Sequence, residues 1–212
     1  MSLAAPTRRL VLATATAVLA ATSTPAQSTP VITMLGDSIT AGYGLPASEA
    51  LPAQLQAALV RLGRPARVRG AGVSGDTTAN GLSRVDFSVQ PDTRLCIVAL
   101  GGNDLLRGLD PAETRGNLTR IVEKLQRRHI RVMIVGLTAP PVIGVGYARD
   151  FDRVFPEVAR TTGVELFPNL LAGVAGISSL NQGDGIHPNP RGVAVIVSRL
   201  APVVARSLAR RG

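Results

Sequence analysis

The chain has 212 residues, 45% hydrophobic and 17% charged, which fits one globular domain with a full core. Aromatic residues make up 3% and tryptophan is absent, which excludes aromatic stacking platforms for sugars or single-stranded nucleic acid. The net charge of +9 is almost all arginine, scattered without a basic stripe or recognition motif, so a nucleic-acid partner is not expected.

Residues 1–26 read as an export signal. Arg8 and Arg9 form a basic start, Leu10 to Ala21 is an apolar stretch too short to span a bilayer, and Thr24-Pro25-Ala26 places small residues where cleavage after Ala26 is expected. The pair Arg8-Arg9 followed by Leu10-Val11-Leu12 also fits a twin-arginine signal, and an uncleaved membrane anchor is the alternative. The mature domain is then 27–212, periplasmic or secreted. Its arginine-rich surface suits peripheral contact with anionic lipid, and a monomer is expected.

From there strands and helices alternate. Val31 to Leu35 is an apolar strand run ending at Gly36. Ser48 is placed to cap a helix through Leu62, with Leu51, Leu55, Leu59 and Leu62 on one face and Gly63 as its stop. Ala66 to Val73 is a second strand, Thr78 to Phe87 a short helix, and Leu95 to Leu100 a strand buried on both faces. Cys96 lies in that last run; alone, it reads as a small buried hydrophobe. Pro111 opens a helix to His129, Val132 to Leu137 is the fourth strand, and Tyr147 to Thr161 is helical with a kink threatened at Pro156. Val164 to Phe167 is the fifth strand and Gly192 to Ala209 the last helix.

Such alternation predicts an α/β fold, a five-stranded parallel sheet with helices on both faces and right-handed crossovers. Ligands of such sheets bind beyond the carboxyl ends of the strands. Ser38, Gly75 and Asn103 each follow a predicted strand, so the topology brings them to one edge.

A serine hydroxyl needs an adjacent base to act as a nucleophile at neutral pH. The chain has only two histidines. His129 follows Arg127 and Arg128 at a helix end and receives no role. His187 lies in Asp184-Gly185-Ile186-His187-Pro188-Asn189, where Asp184, three residues earlier, can orient the ring. Ser38, His187 and Asp184 are therefore the candidate nucleophile, base and acid. The backbone N–H groups of Ser38 and Gly75 and the Asn103 amide are candidate oxyanion donors. Asp37, Asp76 and Asp104 read as loop-holding hydrogen bonders. Two distant histidines and one buried cysteine do not make a zinc site.

Four segments carry a resemblance over essentially the whole mature chain: Gly36-Asp37-Ser38-Ile39-Thr40-Ala41-Gly42-Tyr43-Gly44, Val73-Ser74-Gly75-Asp76-Thr77-Thr78, Leu100-Gly101-Gly102-Asn103-Asp104, and Asp184 to Asn189. In this order and spacing they resemble the SGNH hydrolases, or GDSL esterases, and within them the bacterial periplasmic multifunctional thioesterase/arylesterase/lysophospholipase group. The resemblance implies a three-layer flavodoxin-like fold and no cofactor or metal. It matches Ser38 to the nucleophile, Gly75 and Asn103 to the oxyanion donors, and Asp184 and His187 to the acid and base. Residue 40 is Thr, so the segment is not the G-x-S-x-G elbow of α/β-hydrolases.

The expected reaction is hydrolysis of a small acyl or aryl ester or thioester through an acyl-serine. Leu105, Leu106 and Leu109, with Pro141 and Ile143 of the loop Pro140 to Gly146, are candidate walls of the acyl pocket. Two alternatives are a carbohydrate O-acetyl esterase using the same site and a non-catalytic exported binding domain.

Overall fold

The computed structural model describes residues 1–2 and 29–210. The expected export signal lies outside the described residues apart from its first two.

Five strands form one parallel sheet: β1 (Val31–Gly36), β2 (Arg67–Gly72), β3 (Thr93–Ala99), β4 (Arg131–Val135) and β5 (Glu165–Phe167). Their order across the sheet is β2-β1-β3-β4-β5. This is the flavodoxin-like order. The chain leaves β1 for β2 on one side and then crosses back to β3 on the other. That reversal opens a crevice between the carboxyl ends of β1 and β3, where Ser38 and Asn103 follow.

Period-two alternation assigns the two faces. Ile32 and Met34 of β1 and Leu95 and Ile97 of β3 point to a core shared with α2 (Leu51–Arg61) and α8 (Pro190–Ala209). Leu35, Cys96, Val98 and Ile134 point to the opposite core. There they meet α3 (Thr78–Ser88), α5 (Pro111–Arg127), α6 (Val145–Asp152) and α7 (Val154–Thr162). Helices thus cover both faces in three layers. Burial pushes the Cys96 thiol up to about 12, which leaves it an inert packing group. Helix α8 is long and apolar enough to cross a membrane by composition, but Val193, Ile196, Leu200 and Val204 are buried in the core.

Three local readings change. Helix α2 starts at Leu51 after an extended Ala50 and has no side-chain cap, so Ser48 is not its N-cap. Pro52 sets that start: it lacks an N–H and is tolerated in a first turn, where none is needed. The helix expected over 147–161 is two, broken at Arg153. Pro156 cannot donate to the Asp152 carbonyl and its ring crowds that oxygen, so it sits in the first turn of a new helix. Two short helices, α1 (Ser38–Ala41) and α4 (Gly102–Leu106), occupy segments read as loop. They are too short to show periodicity, and both lie in the crevice.

Candidate active site

The turn from β1 into α1 presents Ser38 to the cavity beyond the strand ends. A Cβ at Gly36 would meet Thr40 Oγ1 at 2.1 Å and the Ala99 carbonyl at 2.9 Å, so only glycine allows the chain to bend there. Asp37 caps α1 by accepting from the Ile39 N–H at 3.1 Å. Its carboxyl is buried, and burial raises it to about 6, against the opposing effect of the backbone hydrogen bond.

Ser38 then stands at the start of α1, 9% exposed. Its Oγ lies 2.8 Å from His187 Nε2, and His187 Nδ1 lies 2.6 Å from Asp184 Oδ2. Asp184 Oδ1 accepts from the backbone N–H groups of Ile186 (2.9 Å) and His187 (3.0 Å). The hydrogen bond from the His187 ring, then those from the two backbone N–H groups, hold the Asp184 carboxyl down at about 2. A charged Asp184 fixes the Nδ1–H tautomer and turns the Nε2 lone pair to the Ser38 hydroxyl. Serine 38 and this dyad are 149 residues apart.

The dyad's loop is braced on the core. Asn181 and Pro188 pair in an antiparallel bridge. Asn189 caps α8 by accepting from the Arg191 and Gly192 N–H groups, and Pro190 fills the first helical turn. A Cβ at Gly192 would meet the Leu180 carbonyl at 2.2 Å, so glycine is what lets the helix start press against the loop.

Two further loops face Ser38. Gly75 has φ +85°, a left-handed conformation open to glycine, and Arg107 Nη2 donates to its carbonyl at 2.9 Å. Asn103 projects from α4, with Nδ2 donating to the Asp76 carbonyl at 2.9 Å. That bond uses one amide hydrogen and leaves the other for a ligand. Asp104, buried, accepts from Thr78 N (2.9 Å), Thr78 Oγ1 (2.5 Å) and Thr114 Oγ1 (3.3 Å). It thereby ties α4 to α3 and α5 and fixes the separation of the two loops. Neither the Ser38 nor the Gly75 N–H donates to another protein group among the described residues.

Ser38, Gly75, Asn103 and His187 all line one cavity of about 790 Å³. Leu105 and Leu106 form part of its wall. Leu109 and Ile143 do not line it: the Leu109 carbonyl accepts from the Tyr147 hydroxyl at 2.8 Å, and Ile143 is 42% exposed on a 3-10 turn. Pro141 opens that turn, and its neighbour Pro140 lines the cavity. The remaining walls, Tyr43, Leu137, Leu171 with the small residues up to Gly176, and Ile186, escaped the sequence reading. Tyr43 stood inside a recognised segment without an assigned task; the Leu171–Gly176 loop carries no motif. No group of three or more His, Cys, Asp or Glu side chains placed to hold a metal occurs among the described residues.

The GDSL-like Lipase/Acylhydrolase family profile matches residues 34–195. The chain is 37% identical over 182 residues to esterase TesA of Pseudomonas aeruginosa, covering 85% of this chain and 90% of that protein. It is 34% identical over 165 residues to thioesterase 1/protease 1/lysophospholipase L1 of Escherichia coli K12, covering 77% and 78%. Among solved structures, the SGNH-hydrolase family esterase AlinE4 superposes with a TM-score of 0.72 at 48% identity, covering 86% of this chain and 98% of that one.

Proposed function

The chain belongs to the GDSL-like lipase/acylhydrolase family, the SGNH hydrolases, and from that membership we propose how this esterase works and on what. The substrates are acyl or aryl esters and thioesters, lysophospholipids included, cleaved through an acyl-Ser38 intermediate. One observation carries the reading: the unbroken line Ser38 Oγ–His187 Nε2–His187 Nδ1–Asp184 Oδ2 opens into an apolar cavity.

In the first half-reaction His187 Nε2 takes the Ser38 proton as Oγ attacks the carbonyl carbon. Asp184 steadies the imidazolium that forms. The negative oxygen of the tetrahedral intermediate accepts from the Ser38 and Gly75 N–H groups and the second Asn103 amide hydrogen. His187 then gives its proton to the departing alcohol or thiol. Water repeats the sequence on the acyl-enzyme and restores Ser38. Two of the three oxyanion donors are pre-aimed by bonds made elsewhere, those of Arg107 to the Gly75 carbonyl and of Asn103 to the Asp76 carbonyl, so little reorganisation of them is left for the reaction.

The apolar lining supports acyl and aryl groups. Leu105, Leu106, Leu137, Leu171 and Ile186 offer no polar atoms to a sugar hydroxyl. Two relatives point the same way by name, as an arylesterase and as a thioesterase/lysophospholipase. Export to the periplasm or beyond is part of the proposal and rests on the basic start and apolar stretch of residues 8–26.

The test is kcat/KM on p-nitrophenyl esters from acetate to palmitate, for the enzyme and for Ser38→Ala. Rates that rise with chain length and vanish in the variant are expected. An acetate-only profile would replace this reading with an O-acetyl esterase, and equal negligible rates would remove the esterase mechanism.

A further inference from the structure

His187 is held by more than Asp184. The ring of Tyr43 lies against the imidazole, centroids 4.5 Å apart and planes 34° from parallel. This is a tilted ring–ring contact, and it braces the imidazole out of the plane in which Asp184 and Ser38 hold its two nitrogens. Tyr43 is itself fixed at both backbone ends. Its N–H donates to the Ser38 carbonyl at 3.0 Å, and its carbonyl accepts from Gln182 Nε2 at 2.8 Å.

Gln182 closes the figure. Its backbone N–H donates to the His187 carbonyl at 2.8 Å, and Nε2 also reaches the Pro188 carbonyl at 3.1 Å. Ser38, Tyr43, Gln182 and His187 thus form a closed circuit joining residues 139 apart in sequence. The circuit needs a glycine at 44, because a Cβ there would meet Gln182 Oε1 at 2.1 Å.

We propose that Tyr43 and Gln182 are positioning residues for His187: the Tyr43 ring sets the tilt of the imidazole, and Gln182 sets the distance between the nucleophile's loop and the base's loop. The inference rests on the esterase mechanism proposed above. Several features favour it over plain loop packing. Tyr43 is 53% exposed, so it contributes little to the core. No hydrogen bond of its phenolic oxygen occurs among the described residues, so the ring and not the hydroxyl is what acts. Of the two Gln182 side-chain bonds, one goes to the Tyr43 carbonyl beside the Ser38 segment and one to the Pro188 carbonyl next to the base, which a glutamine serving one loop alone would not need.

The experiment compares the enzyme with Tyr43→Phe, Tyr43→Leu and Gln182→Met. Misplacing a reacting group by about 1 Å costs roughly 100-fold. Tyr43→Leu and Gln182→Met should therefore lower kcat roughly 10- to 100-fold, and in Gln182→Met, a residue outside the cavity lining, KM for p-nitrophenyl butyrate should stay unchanged. Tyr43→Phe, which keeps the ring, should restore most of the kcat that Tyr43→Leu loses. A second readout needs no turnover: the low-field proton resonance of the His187–Asp184 hydrogen bond, recorded in the Ser38→Ala background and assigned by its loss in Asp184→Asn. It should persist in Tyr43→Phe and broaden or vanish in Tyr43→Leu and Gln182→Met. Parent-like kcat in the latter two, or a lowered kcat with the resonance intact, overturns the proposal. Should the parent enzyme hydrolyse no ester, the mechanism fails, and the resonance alone still decides whether the pair holds the ring.

Discussion

The guanidinium of Arg84 reaches from α3 to the carbonyl of Gly36, 2.8 Å away and two residues before Ser38. The same side chain donates to the Ala71 carbonyl at 2.9 Å, to Ser88 Oγ at 3.0 Å and to the Asp76 carboxylate at 2.6 Å. It therefore joins the ends of β1 and β2 to the loop that carries Gly75 and whose Asp76 carbonyl receives Asn103. Ser38 and the proposed oxyanion donors Gly75 and Asn103 thus share one anchor in Arg84.

Arg84→Met should be strongly destabilising, because it strands Asp76, itself only 12% exposed in its side chain. Removing one partner of a buried pair costs roughly 3–5 kcal/mol, and this pair's partial exposure puts the loss near the lower end. Arg84→Lys keeps the charge but not the fork of donors, so it should remain folded while kcat falls more than KM rises. Urea unfolding beside ester kinetics checks both. Parent-like kcat in a folded Arg84→Lys would show that the anchor serves stability alone.

Gly75→Ala separates conformation from space. A Cβ there would meet only Arg107 Nη2, at 3.8 Å, so nothing blocks it. The cost is the left-handed φ of +85°, about 1–2 kcal/mol for an L side chain. Relief of that strain turns the N–H away from the oxyanion, so kcat should drop as well. Asn103→Ala should cost about 2.7–4 kcal/mol of barrier lowering, roughly 100- to 1,000-fold in kcat. Steady-state kinetics on one ester measures both, and KM should barely move in either variant.

Asp37 carries a pH signature. An unfolded Asp titrates near 3.8 and the folded one near 6, because burial penalises its charge. Between those values the folded chain binds the extra proton. Stability from this group therefore falls as pH rises through the window, and above pH 6 the full penalty stands, on the order of 3 kcal/mol. Asp37→Asn keeps an oxygen for the Ile39 N–H and removes the charge. It should raise Tm at pH 8, by roughly 2–4 °C for each kcal/mol recovered, and change it little below pH 4. An equal shift at both pH values would rule out burial of the charge as the cause.

The long-range plan of this molecule was legible because its elements are strongly patterned. The apolar runs of β1 and β3 and the spacing of Leu118, Ile121, Val122 and Leu125 leave little choice of period. Ser38, Gly75 and Asn103 could be brought to one edge from topology alone. What the sequence withheld was decided by contacts between distant loops. Nothing in the spacing of Leu109 or Ile143 tells that Tyr147 draws one aside and a 3-10 turn exposes the other. Tyr43 and Gln182 are likewise ordinary until the fold closes 139 residues between them. The break at Arg153 was half visible: Pro156 announced a disturbance, and in the fold Phe151 and Phe155 pack edge to face at 5.6 Å across the break.

Asp184 offers the sharpest separation of chemistry from stability. Its carboxylate accepts three hydrogen bonds but its side chain is 37% exposed, so its loss should leave Tm nearly unchanged. The group is held at about 2, so whatever stability it adds is present above the unfolded value near 3.8 and is lost only as pH falls through about 2. Acid inactivation at milder pH must then come from another group. Asp184→Asn turns an obligate acceptor into a group that can donate to Nδ1. The imidazole then carries its hydrogen on Nε2, facing Ser38, and cannot take the Ser38 proton. A fall in kcat of about 10⁴-fold is expected, with the fold intact. Kinetics at pH 7 with a thermal melt of the same sample reads both, and a variant that kept more than a tenth of the parent kcat would mean that His187 is oriented without its acid.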